Sequence, residues 1–404
     1  MNKKSKIVLI PKYRFSEFKI AAPWKMTPLS SLAVKVTNKN KDGLVTRVLT
    51  NSAVDGVIDQ SEYFEREIVT KSNICNYYIV NEGDFVYNPR ISSSAPVGPI
   101  SKNKIAKGIM SPLYTVFRFK NPQNDFYEQY FKTNIWNDYL KTVANTGARY
   151  DRMNITADDF MAMPLPFSSE EEQQKIADCL YSIDELIDAE NKKLSALKDH
   201  KKGLMQKLFP AEGKAEPEWR FPEFRNGGEW KAAIVSKLVT TITPPKKIPS
   251  SEYYANGKYP IIDQGKEFIC GWTDDADAVI EFKNKLLIFG DHTCILKLMN
   301  RPFAQGADGI KILLTDKKIN TEFLFHYLSF NPVKSDSYKR NFSELKEKTI
   351  FFPRIESGEQ QKIADCLSSV DELITAQTEK IEHLKIHKKG LMQGLFPSIE
   401  EVSR

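Results

Sequence analysis

The sequence predicts a mixed α/β (α+β) chain in which two globular domains are joined by two long antiparallel coiled-coil helices, a pseudo-twofold internal repeat. Three observations predict it. A 39-residue segment occurs twice, as EQQKIADCLYSIDELIDAENKKLSALKDHKKGLMQKLFP over Glu172–Pro210 and EQQKIADCLSSVDELITAQTEKIEHLKIHKKGLMQGLFP over Glu359–Pro397, with 28 of 39 positions identical at an offset of 187. A shorter echo precedes each copy: RFSEFKIAAPWKMTPLSSL (Arg14–Leu32) and RFPEFRNGGEWKAAIVSKL (Arg220–Leu238) share eight positions. Between echo and segment the two halves diverge, and the stretches there carry strand-like rather than helical patterning.

Each repeated segment reads as one helix. Apolar residues fall at Ile176, Leu180, Ile183, Ile187, Leu194, Leu197, Leu204 and Leu208 in the first copy. In the second they fall at Ile363, Leu367, Val370, Ile374, Ile381, Leu384, Leu391 and Leu395. Steps of four and three in alternation make a heptad seam. Polar residues break it at the same register, Glu190 and Lys201 against Gln377 and Lys388, which would fix the alignment of the two helices. Ser169 ahead of Glu172 and Ser357 ahead of Gln360 predict capping boxes. In the first helix an acidic first turn (Glu170, Glu171, Glu172) and lysines in the last turns (Lys201, Lys202, Lys207) suit the helix dipole, and Pro210 and Pro397 end the helices. Each helix would be roughly 55 Å long.

The divergent bodies read as α/β globules. Strands are predicted at Val45–Leu49, Asp84–Tyr87, Leu113–Phe119, Lys285–Phe289 and Ile310–Leu314. Turn-rich stretches such as NPRISSSAPVGP (Asn88–Pro99) and TPPKKIPSS (Thr243–Ser251) separate them. Short helices are expected at Phe126–Lys141 and Asn320–Leu328. The resulting boundaries are residues 1–166 and 211–355 for the globules, 167–210 for the central helix, and 356–404 for the C-terminal helix and tail. Each body runs directly into its own helix. The second body also follows the end of the first helix, so the helices should pack antiparallel, with the globules at opposite ends of a rod.

Composition narrows the function. The chain has 404 residues, five Cys without CxxC pairing and a net charge of +6, so neither a disulfide framework nor a zinc knuckle is expected. The apolar run Ile7–Ile10 is too short for a secretory signal. No stretch reaches the ~20 apolar residues of a membrane span, and a cytoplasmic location is expected. Residues 170–210 hold seven Lys against nine Asp/Glu, and residues 356–397 hold five against seven. The positive surplus therefore lies in the bodies, as a polyanionic partner would require.

No catalytic constellation is legible. There is no GxxxxGK[ST] loop and no glycine-rich nucleotide fingerprint. Asn88-Pro89 and Asn331-Pro332 lack the second proline and aromatic of the amino-methyltransferase motif and read as turns. Asp277, Glu281 and Lys283 form only a bare nuclease-like carboxylate–lysine string. His383 and His387 have helical ligand spacing but no patterned partner. Cys179 and Cys366 recur beside packing leucines. Candidate DNA-contacting residues are the basic clusters of the bodies. The first holds Lys35, Lys39, Lys41, Arg47, Arg90, Lys102, Lys104, Lys107, Arg149 and Arg152. The second holds Lys246, Lys247, Lys258, Lys266, Arg301 and Lys311. The string HKKGLMQ, repeated at the helix ends, makes His200, Lys201, Lys202 and Met205, with His387, Lys388, Lys389 and Met392, candidates for docking a partner twice.

On these residues the chain resembles the DNA-specificity subunits of type I restriction–modification systems. The paired EQQKIADCL…IDEL…HKKGLMQ.LFP motif, the RF.EF…W lead-in and the exit NITADDFMAMPLPFSSEEEQQKIA (Asn154–Ala177) carry the resemblance over essentially the whole chain. In the second exit Phe352-Pro353 stands where Leu165-Pro166 does. The resemblance implies a chain that is not an enzyme on its own. It implies that each globule is a target-recognition domain for one half of a bipartite, non-palindromic site in double-stranded DNA. The helices would set an unread spacer, with half-sites separated by roughly 34–36 Å or slightly more, and would dock two methyltransferase subunits. Those partners would use S-adenosylmethionine on adenine, and added motor–endonuclease subunits would use ATP and Mg2+; this chain would bind none of these cofactors. The alternatives left open are a coiled-coil adaptor that binds only protein and a standalone DNA-modifying enzyme.

Overall fold

The computed structural model describes residues 9–63, 74–145, 151–306, 309–333 and 341–397. Two compact units divide the chain: residues 1–188 with 382–404, and residues 189–381. The long helices run over Glu170–Leu208 and Glu359–Leu395. Each unit thus holds one body, the start of the helix that follows it, and the end of the other helix.

In the first unit Lys25–Pro28 pairs antiparallel with Pro164–Phe167, Lys25 opposite Phe167. The body therefore opens and closes on one ribbon, which delivers the chain into the helix. Its main sheet has the spatial order Ala33–Val36, Thr115–Phe119, Phe85–Tyr87, Ile100–Lys102, antiparallel throughout. Side chains alternate across it. Phe85, Phe117 and Phe119 face the aromatic core shared with the helix Asp125–Phe131. Val86 and Val116 face a smaller core beside two short ribbons, Leu49–Ser52 with Gly56–Asp59 and Tyr78–Val80 with Gly108–Met110.

The second unit repeats this plan with unrelated residues. Lys231–Ile234 pairs with Thr349–Phe352, Lys231 opposite Phe352. The sheet order Val239–Ile242, Ile310–Thr315, Leu286–Gly290, Leu296–Met299 is the same, and again antiparallel. Leu287, Phe289 and Leu313 face the core that holds the helix Thr321–Phe330, while Leu286, Ile288 and Ile312 face the other way. Here the outer layer is a second four-stranded sheet, ordered Gly271–Thr273, Tyr259–Ile262, Phe303–Gln305, Val279–Ile280.

The repeated residues account for this common frame. Arg14 donates from Nε and Nη2 to both oxygens of Glu172 at 2.7 and 2.8 Å, and Arg220 does the same to Glu359 at 2.8 and 2.6 Å. Each lead-in arginine thus clamps the first turn of its own long helix. The next residue ties that helix to the exit strand: Gln173 Nε2 donates to Ser168 O at 3.0 Å, and Gln360 Nε2 to Pro353 O at 2.7 Å. At the other end of each helix the repeated LFP plugs a body. Phe396 lies 5.2 Å from Phe126 and 5.6 Å from Tyr130; Phe209 lies 5.5 Å from Phe323 and 5.3 Å from Tyr327. Full burial of such a side chain contributes about 1.5–3 kcal/mol.

Within each unit the two helix segments run antiparallel, and the polar seam positions bond across. Lys388 Nζ meets Asp184 at 2.5 Å in the first unit. Lys201 Nζ meets both oxygens of Asp371 at 2.6 Å in the second. Gln377 Nε2 donates to Glu190 O at 3.0 Å and to Glu190 Oε2 at 2.5 Å, and Lys380 takes Oε1 at 2.5 Å. Of the apolar seam, Ile176, Leu180, Ile363, Leu367, Val370 and Ile381 are buried. Ile183, Ile187, Leu194, Leu197, Ile374 and Leu384 are half-buried. Ile176, Leu180, Ile363 and Leu367 pack into the body cores.

Several local expectations are corrected. The strand placed at Val45–Leu49 begins only at Leu49. Residues 40–45 are held as a loop by buried Asn40, whose Nδ2 donates to Val45 O at 2.8 Å and whose Oδ1 accepts from Val45 N at 3.1 Å. The helix expected over Phe126–Lys141 is two helices, Asp125–Phe131 and Asn137–Val143; Thr133 Oγ1 donates to Tyr130 O at 2.7 Å at the break. Ser169 caps Glu172 N at 3.3 Å, but the Glu172 carboxylate turns to Arg14, so the box is half formed. Ser357 caps Glu359 N at 3.2 Å instead of bonding Gln360, because Gly358, at φ +79°, inserts a turn. Register also reassigns the second exit. Ile350 stands where Leu165 does, both fully buried, and Phe351 where Pro166 does. Pro353 follows the strand, as Ser168 does in the first unit.

Candidate nucleic-acid interface

The cations nominated from sequence separate into free and engaged groups. In the first unit Lys35, Lys39, Lys41 and Lys107 are exposed. Arg47, also exposed, lies 3.5 Å from Asp59. Lys39 and Lys41 flank Asn40, which shapes their loop, and exposed Leu44 sits in the same loop. Arg90 and Arg152 face each other as an isolated backbone bridge and share Asp151, at 3.8 and 3.5 Å. The loop that carries Arg90 turns at Gly98, φ +81°, where a Cβ would meet Asn88 O at 2.0 Å; only glycine fits. Arg149 lies outside the described residues.

Lys102 and Lys104 are structural. Lys102 Nζ meets Asp125 at 2.6 Å. Lys104 Nζ donates to the Tyr181 hydroxyl at 2.7 Å and lies 2.8 Å from Glu128. The same hydroxyl bonds Glu128. Burial, then this carboxylate, raises the Tyr181 pKa. Lys104 therefore fastens the body to the first long helix, and Lys102 ties the sheet to the body's own helix Asp125–Phe131.

In the second unit Lys246 pairs with Asp275 at 2.6 Å, and this mutual bond raises the lysine and lowers the acid. Lys247 bridges to Gln305 through the backbone. Lys258 lies over the Tyr259 ring at 5.0 Å, Arg301 over Trp272 at 5.7 Å, and Lys311 over Phe342 at 5.6 Å. Tyr254, exposed, pairs its backbone with Trp272. Arg301, Trp272 and Tyr254 thus make one aromatic-backed cationic surface on the outer sheet. Such a planar guanidinium suits a base edge or phosphate. Exposed Lys266 rides on a loop pinned by Lys297, a residue with no sequence signal. Lys297 is 4% exposed, and its Nζ donates to Asp263 O at 2.8 Å and Glu267 O at 2.5 Å. Burial lowers its pKa, against the pull of Asp263.

The nominated docking residues divide in the same way. His200, Lys202, His387 and Lys389 are exposed, and Met392 is half-buried. Lys201 and Lys388 are committed to the interhelical carboxylates described above. Met205 is buried in the second unit's core and has no surface to offer. Two exposed leucines escaped the seam reading: Leu186 and Leu373 occupy equivalent positions at the offset of 187. Glu281, Lys283, His383 and His387 are exposed residues. Among the described residues no His/Cys/Asp/Glu group is arranged to hold a metal ion, and no helix is long and apolar enough to cross a membrane.

Two bodies with a common sheet, unlike outer layers and unlike cationic loops define a duplicated DNA-recognition subunit. A family model described as the type I restriction modification DNA specificity domain matches residues 24–199 and 235–385. The chain belongs to that family, the non-catalytic specificity subunits of type I restriction–modification complexes. It is 27% identical over 356 residues to the type I restriction enzyme MjaVIII specificity subunit of Methanocaldococcus jannaschii, covering 79% of each chain. It is 24% identical over 441 aligned positions to the putative MjaX specificity subunit of the same organism, covering 96% of this chain and 98% of the other. Its fold matches the crystal structure of a type I S subunit from M. genitalium with a TM-score of 0.63 at 14% identity, over 96% of this chain and 99% of that one. A chain from a structural study of type I complex assembly matches with a TM-score of 0.54 at 15% identity, over 93% and 98% of the two chains.

Proposed function

We propose that each unit reads one half of a bipartite, non-palindromic DNA target, and that the long helices set the spacer and dock two modification subunits. The observation that carries this reading is a common frame with divergent dressing. Both bodies use one sheet order and one arginine clamp, whereas the outer layers and cationic loops share nothing, as two different half-sites require. Phosphate contacts from the exposed lysines would position the DNA, and a few polar or arginine side chains would select bases. The helix faces carrying Leu186, His200 and Lys202, and their counterparts Leu373, His387 and Lys389, present one surface twice, which suits two copies of one partner. Adenine methylation with S-adenosylmethionine, and restriction with ATP and Mg2+, belong in this proposal to the other subunits.

Single-molecule methylome sequencing of a host carrying the complex tests it. The expected motif has two unlike half-sites around an unread gap. Exchange of residues 24–166 for the corresponding body of a relative should change one half only. A palindromic or continuous motif, or a change in both halves, would refute it.

A further inference from the structure

We propose, resting on the reading that two modification subunits dock here, that the two docking platforms are unequal: a groove in the first unit receives an acidic, amphipathic segment of the modification subunit, and its counterpart in the second unit is closed. The groove is a cavity of about 760 Å3 between the end of the second long helix, the first long helix and the loop after Phe131. Its floor is apolar, made by Ile135, Ile187, Met392 and Phe396. Lys132, Lys385, Lys388 and Lys389 line it, against the single carboxylate of Asp184. Asp184 is already engaged by Lys388 at 2.5 Å and lies 3.5 Å from Lys132. At the rim Lys385 meets exposed Glu382 at 2.7 Å and Lys132 lies 3.7 Å from Glu128, which leaves Lys389 as the lining cation with no carboxylate among these pairs. The positive surplus calls for acidic residues on the occupant, and the floor calls for bulky apolar ones on one face, as when an amphipathic helix lies in a groove.

The repeat shows why the second unit differs. The offset of 187 carries Met392 to Met205 and Phe396 to Phe209. The rings packed on those phenylalanines align Phe126 with Phe323 and Tyr130 with Tyr327. Thr133 therefore corresponds to Phe330, whose ring lies 5.8 Å from Phe209. Met205 is buried there, whereas Met392 is half-buried. One helix surface is thus open where the body supplies threonine and covered where it supplies phenylalanine.

The test titrates the full-length chain with its modification subunit, by calorimetry and native mass spectrometry. Lys385→Glu with Lys389→Glu alters exposed residues. Thr133→Phe places in the first unit the side chain that closes the second. Each should weaken one of the two association steps by roughly tenfold or more, leave the other step in place, and leave DNA affinity unchanged. Lys198→Glu, the counterpart of Lys385→Glu at the offset of 187, should weaken neither step to that extent. Equal loss at both steps, or two undiminished steps in both groove variants, overturns the groove. A wild-type chain that binds no modification subunit overturns the docking reading itself.

Discussion

Replacing Arg220 with alanine should destabilise the second unit far more than loss of a surface ion pair would. The Arg220 and Glu359 side chains are 11% and 1% exposed. Truncation strips two charge-assisted bonds from a carboxylate that water cannot reach, and breaking a buried pair costs about 3–5 kcal/mol, against about 0–1 kcal/mol at a surface. The first unit supplies an internal control. There Glu172 also accepts from Trp24 Nε1 at 3.0 Å, whereas the buried Trp230 Nε1 has no hydrogen-bond partner among the described residues. Arg14→Ala leaves one donor on its carboxylate and should cost less, by about 1.5–3 kcal/mol for one hydrogen bond to a charge. Hydrogen exchange of the first helical turns, resolved by mass spectrometry, reads both sites separately. Arg220→Ala should lower protection at residues 359–364 by about two orders of magnitude or more, and Arg14→Ala should lower it less at residues 172–177. Equal losses at the two sites, or a loss below about 1 kcal/mol for Arg220→Ala, would refute the clamp as the element that seats the helices.

Acid should unfold the second unit through His326. Burial, then repulsion from Lys201 and Lys285, lowers its pKa from 6.5 to about 3. The neutral ring therefore contributes stability that is complete above pH 6.5 and is lost as pH falls towards 3. By pH 4.5 the loss should reach roughly 2–3 kcal/mol, and His326→Gln should flatten denaturant midpoints between pH 6.5 and 4.5; an unchanged slope would sink the assignment. Among the cations, Lys39→Ala and Lys41→Ala should each reduce the salt slope of DNA binding by up to about 0.9 per lost phosphate contact. Lys104→Ala should lower thermal stability and leave that slope alone, and fluorescence titrations across ionic strength separate the two. Gln377→Ala removes the donor to Glu190 and should cost about 1–3 kcal/mol in urea unfolding, while Gln377→Glu should cost more by setting two carboxylates together.

What was legible in the sequence follows what is local. The helices, their seam and the polar breaks at Glu190, Lys201, Gln377 and Lys388 repeat at one offset, so they could be read without coordinates. The clamp could not: Arg14 and Glu172 are 158 residues apart, and the lead-in echo shows only that something is shared. Counting prolines misaligned the second exit, because strand pairing, not the letter, sets which residue faces the core. Lys102 and Lys104 looked like free cations because no pattern shows which carboxylate a fold will place opposite. Buried Lys297, which shapes the loop under Lys266, resembles any surface lysine in sequence.

These misses point the same way. Four kinds of residue that recur in both halves hold the frame together: arginine on the first-turn glutamate, glutamine on the exit carbonyl, lysine on the interhelical aspartate, phenylalanine in the aromatic core. On the proposed reading such a frame should accept another body that presents two edge strands and an aromatic helix. The sheet order survives in both bodies while the sequence does not, because only its edges and one face meet the frame. Among the described residues the cores under the outer layers include no residue of the long helices. A short-ribbon layer with Lys39, Lys41 and Arg47 can therefore stand in one unit and a four-stranded layer with Trp272 and Arg301 in the other. On that reading, recognition residues are hard to pick out from this chain because none of the recurring contacts of the frame fixes them.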